Sequence, residues 1–131
     1  MYEATVETPI RPTESARRVR TAVLNLFPEA RLEEEESLQG PAGSLDRFAE
    51  LLVRQRIRDS SREVLLGSVR GRRLVFRLNK QAAFAGRVSF SAHAPLGDIR
   101  VTVVSDDLRG LIQELAPATI RRGGGEARPA P

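Results

Sequence analysis

Apolar and polar side chains alternate near the start of the chain and, apart from Val75, again in its second half, and this alternation restricts it to folds built on a half-buried sheet. Tyr2, Ala4 and Val6 alternate with Glu3, Thr5 and Glu7, and Leu74, Phe76 and Leu78 alternate with Arg73, Val75 and Arg77. Val88 and Phe90 alternate in the same way with Arg87, Ser89 and Ser91. A period of two sends one set into a core and leaves the other on an open face. Strands are therefore expected at the N-terminus up to Pro9, at residues 31–39, at about 72–78, from 87 to about 93, and at 99–104. Between them the period changes to that of a helix. Val19, Ala22, Val23, Leu26 and Phe27 make one apolar stripe, with Thr13 as the expected N-cap and Pro28 as the stop. Ser44 is expected to cap a longer helix carrying Leu45, Phe48, Leu51 and Leu52, Asp59 a second piece with Val64, Leu65 and Leu66, and Asp106 a last helix with Leu108, Leu111, Ile112 and Leu115. The order β-α-β-α-α-β-β-β-α predicts an α+β sandwich: about five mostly antiparallel strands with helices on one sheet face.

With 131 residues the chain holds one domain, expected over residues 1–120. Residues 121–131, RGGGEARPAP preceded by a further arginine, carry nothing larger than alanine for a core and are expected to be disordered. There is no cysteine and a single histidine, His93, so thiolate chemistry, zinc–sulfur sites and multi-histidine centres are excluded and no cofactor is expected. No triad, P-loop or dinucleotide fingerprint occurs either, and the chain is not expected to be an enzyme. No run approaches a membrane span and the first residues lack a secretory pattern, so a cytoplasmic protein without membrane contact is expected.

Charge is segregated along the chain. The net charge is only +4, yet residues 47–87 hold eleven basic side chains against Glu50, Asp59 and Glu63, while Glu33 to Glu36 form an acidic run. Lys80 is the sole lysine beside twenty arginines. An arginine excess also follows from a G- and C-rich genome, so its placement matters more than its amount.

Three basic surfaces are candidates. On the longer helix Arg47, Arg54 and Arg58 fall within about 40° of one another, and Arg62 extends the row if the helix continues. On the outer sheet face alternation gathers Arg73, Arg77, Arg87 and Arg100 with Ser89, Ser91, His93 and Thr102, but also with Glu3 and Glu7, which can neutralise them. The third surface is the segment LNKQAAFAGRVSF at 78–90, where Asn79, Lys80 and Gln81 precede a small-residue turn closed by Gly86. These groups either hold an anion or satisfy backbone groups of the turn.

Five strings in order, PTES at 12–15, SLDRFAELLVRQRIRDSSREVLL at 44–66, LNKQAAFAGRVSF at 78–90, PLGDIRVTV at 95–103 and LAPATI at 115–120, resemble a family of small archaeal proteins of unassigned function described as RNA-binding. The resemblance implies a fold like that of the large-subunit ribosomal protein that binds 5S ribosomal RNA. It also implies work beside RNA-processing machinery, since a related archaeal branch has been proposed to act with the RNA-degrading exosome. The chain departs from that family in its arginines where relatives carry lysines and in its glycine-proline tail.

Residues and resemblance together lead to an expected RNA partner. The expected contacts are phosphates of a structured RNA, made by Arg54, Arg58, Arg62, Arg73, Arg77, Asn79, Lys80, Gln81 and Arg87. The alternative is a homodimeric interaction subunit in which the arginines meet carboxylates such as Glu33 to Glu36 of a second copy.

Overall fold

The first alternating stretch becomes β1 (Tyr2–Pro9), whose buried residues Ala4, Val6 and Thr8 face a core while Glu3 and Thr5 are exposed. The structure, a computed structural model, describes residues 1–91 and 97–118. After β1 come α1 (Ala16–Leu26), the hairpin β2 (Glu33–Glu34) and β3 (Ser37–Pro41), then α2 (Asp46–Arg54) and α3 (Arg58–Gly67). The chain continues through β4 (Val69–Arg70), β5 (Arg73–Asn79), α4 (Lys80–Phe84), β6 (Asp98–Ser105) and α5 (Leu108–Leu115). This is a single α+β domain. Its six strands form one sheet in the order β2-β3-β1-β6-β5-β4, and every neighbouring pair is antiparallel.

The helices cover the apolar face of the sheet. Val19, Ala22, Val23 and Leu26 of α1, Phe48, Leu51 and Leu52 of α2, and Leu108, Ile112 and Leu115 of α5 are all buried, as their spacing predicts. At the centre Phe48 stacks on Phe27 and Phe76, with ring centroids 5.8 and 5.4 Å away, and meets the edge of Phe90 at 6.4 Å. Such aromatic contacts add to area burial because the ring quadrupoles favour offset and edge-on geometry.

Several expected boundaries shift, each for a local reason. Ser15 rather than Thr13 caps α1, accepting from the Arg18 N–H, and Asp107 rather than Asp106 caps α5, accepting from the Gly110 N–H. Asp59 lies in the first turn of α3, one residue inside the start, and Ser44 reaches the Asp46 N–H at 3.0 Å from one residue before the N-cap of α2. The strand expected at 31–39 folds back on itself as the β2–β3 hairpin. Gly40 there lies so close to Arg31 that a Cβ would stand 2.0 Å from its carbonyl oxygen. The strand expected at 87–93 is only a bridge from Leu78 to Phe90 among the described residues. Around that bridge the Asn79 N–H donates to the Ser89 carbonyl at 2.8 Å and the Ser91 N–H to the Arg77 carbonyl at 2.9 Å, while the Gln55 amide takes the backbone of Val88, accepting from its N–H at 2.7 Å and donating to its carbonyl at 2.8 Å. His93 and the tail at 121–131 lie outside the described residues.

Candidate nucleic-acid interface

The turn after β5 forms as its composition predicts, but Asn79 and Lys80 are taken up by groups of the protein itself. Asn79 caps α4 by accepting from the Ala82 N–H at 2.9 Å, and Gly86 closes the segment with φ +74°. Lys80 is 3 % exposed. Its Nζ donates to the Pro9 carbonyl at 2.8 Å and to Glu14 Oε1 and Oε2 at 3.0 and 3.2 Å. A compact ammonium with three divergent donors suits this pocket, where a planar guanidinium fork would not. The single lysine is therefore a structural ion-pair partner of Glu14. This corrects the expectation that Lys80 and Asn79 face a ligand. Gln81 alone of the three is exposed, beside Thr13, Ser15 and Arg18.

Burial by itself would raise the pKa of Glu14, but hydrogen bonds from the Arg11 N–H and Lys80, together with their charge, outweigh it and hold the carboxyl below its ordinary 4.5. A depressed folded value means stability that is present above 4.5 and lost as pH falls through the lower folded value. Glu14→Gln is expected to destabilise the protein at neutral pH and to flatten the acid limb below 4.5. Urea unfolding across pH checks this, and an unchanged acid limb would show that Glu14 does not supply it.

The expected helical row also breaks. The chain leaves α2 after Arg54 and turns through Arg56 at φ +59°, so Arg58 begins a different helix. Arg54 lies 3.6 Å from Glu50, which also pairs with Arg47 at 2.6 Å. Arg62 is held by Asp59 at 2.9 Å and donates to the Ala116 carbonyl at 3.1 Å, tying α3 to the end of α5. These arginines do not form one phosphate-tracking stripe.

The outer sheet face is where basic side chains do gather. Register places Glu7 opposite Arg100 and Arg100 opposite Arg77 in one row, and Glu3 opposite Val104 and Val104 opposite Arg73 in another. Arg70 of β4 extends the second row beside Arg73. Gln39 and Glu33 extend the first row on the other side. The face is thus divided: acidic over β1 and β2, basic over β6, β5 and β4. Between the rows lie Thr5, Thr102 and Val75, side by side on adjacent strands.

Pairing within this face is incomplete. Glu7 and Arg100 form an ion pair, so part of the neutral ladder foreseen from alternation exists. Arg70 Nη1 turns back to the Gly67 and Val69 carbonyls, and Arg72 pairs with Asp106 at 2.8 Å. Arg73 and Arg77 are exposed, and neither has a carboxylate partner among the described residues. Arg87 is exposed beyond the Phe90 bridge, its N–H bound to the Ala82 carbonyl. Arg70 was missed in the sequence because a two-residue strand has no readable period. Among the described residues no helix is long and apolar enough to cross a membrane.

An antiparallel sheet with helices on one face and, among the described residues, a charged and uncovered opposite face defines the class: an α+β protein with an open-faced sheet. The chain belongs to the UPF0201 family. It is 42% identical over 122 residues to a UPF0201 protein of Methanothermobacter thermautotrophicus, covering 89% of this chain and 92% of that one. It is 40% identical over 131 residues to a UPF0201 protein of Pyrobaculum neutrophilum, covering 91% and 90%. The crystal structure of an uncharacterised UPF0201 protein superposes with a TM-score of 0.84 at 38% identity, over 89% of this chain and 94% of that one. The UPF0201 protein from Methanococcus jannaschii gives 0.79 at 34% identity, over 88% and 99%. No family model matches the chain.

Proposed function

We propose that the protein binds the phosphate backbone of a folded RNA through the basic half of its open sheet face, at Arg70, Arg73, Arg77 and Arg100, with Arg87 beyond the end of β5. The observation that carries this reading is a pair of like-charged juxtapositions, Arg77 opposite Arg100 and Arg70 opposite Arg73. Like charges directly opposite one another weaken a sheet. Their placement makes physical sense when an anion from outside the chain lies between them, and guanidinium takes phosphate as a planar fork. Arg73 and Arg77 are four residues apart on β5, about 13 Å at the rise of a strand. The two juxtapositions therefore suit separate phosphates better than one small anion.

The outward positions of β1, β5 and β6 hold no aromatic side chain among the described residues. Bases have nothing to stack on, so the target is backbone geometry rather than a splayed single strand. The family resemblance supports the same reading through the expected likeness to the ribosomal protein that binds 5S ribosomal RNA, and the work proposed for the chain is RNA processing in the cytoplasm, as a binding module rather than an enzyme.

Filter retention with a structured RNA, a single strand and heparin, each across a salt series, tests the reading. Binding is expected to favour folded RNA and to weaken steeply with salt as counterions are released. Arg73→Ala with Arg77→Ala is expected to make the log–log salt slope about two units shallower. The same variant should be no less stable than the parent, since it relieves like-charge opposition. Equal binding to heparin, or an unchanged slope in the double variant, would overturn the reading.

A further inference from the structure

The outer sheet face is self-complementary, and we propose that it docks a second copy of this chain, face to face about a two-fold axis. The axis runs along the strands above the boundary between β1 and β6, which are neighbours at the middle of the sheet. Such a rotation lays β1 of each copy over β6 of the other and β3 over β5. It carries the acidic half onto the basic half twice in one interface, with Glu7 over Arg100, Glu3 over Val104 next to Arg73, and Gln39 over Arg77 with Glu33 at its side. A two-fold interface must match itself, and a face divided by charge across the axis is the arrangement that does so.

The middle of the face fits the same occupant. Thr102, Val75 and Val104 are partly buried and Thr5 is exposed, so uncharged β-branched side chains fill the middle of the strands' length, with Glu7 and Arg100 beside the axis further along β1 and β6. Sheets pack through such faces about 10 Å apart. With strands about 4.8 Å apart and about 3.4 Å of rise per residue, the four longer strands present roughly 500 Å² of plane. Side-chain relief raises the accessible area toward the roughly 800 Å² that each partner contributes to a standard interface. Glu7 and Arg100, already paired within one copy, would become half of a four-charge cluster at the centre.

The RNA reading uses the same arginines, so the two occupants exclude one another, and dimerisation would withhold the basic half from RNA. The docking itself does not need RNA, and its test contains none. Failure of either reading therefore leaves the other standing on its own result.

The test is sedimentation of the full chain and of two variants with opposite faces, Glu3→Arg with Glu7→Arg and Arg73→Glu with Arg77→Glu. The parent is expected to dimerise in the micromolar range. Each variant alone should be monomeric, its dissociation constant raised about a hundredfold or more by like-charge contact. An equimolar mixture of the two should restore a one-to-one dimer. The single changes Glu7→Arg and Arg77→Glu repeat the design should a double variant fail to fold. A parent that stays monomeric to millimolar concentration overturns the proposal, as do variants that still self-associate or a mixture that stays monomeric.

Discussion

Lys80→Ala is expected to lower the free energy of unfolding by about 3 kcal/mol, because it leaves part-buried Glu14 without its cation. The loss also opens the Pro9 carbonyl, which gives up the 2.8 Å bond that fastens the end of β1 to the start of α4. Lys80→Arg should fall between the parent and alanine, since the guanidinium retains the charge but must fit a pocket shaped for ammonium. Urea unfolding of the two variants checks this. A near-neutral Lys80→Ala would mean that the ion pair contributes nothing net, and RNA affinity lost in a stably folded Lys80→Ala would return the turn to the binding site.

Phe48→Ala is expected to cost about 4 kcal/mol, in the middle of the range for deleting a buried aromatic ring. Phe48 is fully buried and touches three other rings, from α1's end, β5 and the Phe90 bridge. No single element can collapse into the space it leaves. The change should also loosen the segment at 87–91, because the Phe90 ring reinforces the two backbone hydrogen bonds that hold that segment to β5. Thermal unfolding together with amide exchange of Ser89 and Ser91 measures both effects. A loss below about 2 kcal/mol would mean that the site repacks.

Periodicity reads burial, and where burial decides structure the sequence was legible. The stripes of α1 and α5, the inward set of β1 and β5, and the glycine-closed turn of α4 all follow from local spacing. Residues 87–90 alternate as well, and Val88 is buried, yet the backbone partner of Val88 is the side chain of Gln55, just past α2. Alternation carries no information about which group takes a backbone hydrogen bond. The rarity of lysine marked position 80 correctly, but its role rests on Pro9 and Glu14, far away in the chain. The division of the outer face into acidic and basic halves needed strand order. Alternation put Glu3, Glu7 and the arginines on one face, and only the β1–β6–β5 adjacency separated them into a side that pairs and a side that does not.

The central claim is that the basic half of the open face, and not the Lys80 turn or the α2–α3 surface, meets RNA. Amide chemical-shift mapping of the monomeric Glu3→Arg, Glu7→Arg variant during titration with a structured RNA tests it most directly. The account predicts shifts concentrated on β4, β5 and β6 around Arg70, Arg73, Arg77 and Arg100, with Lys80, Arg54 and Arg62 unmoved. Shifts centred on α2 and α3, or on the turn after β5, with a silent sheet would contradict it.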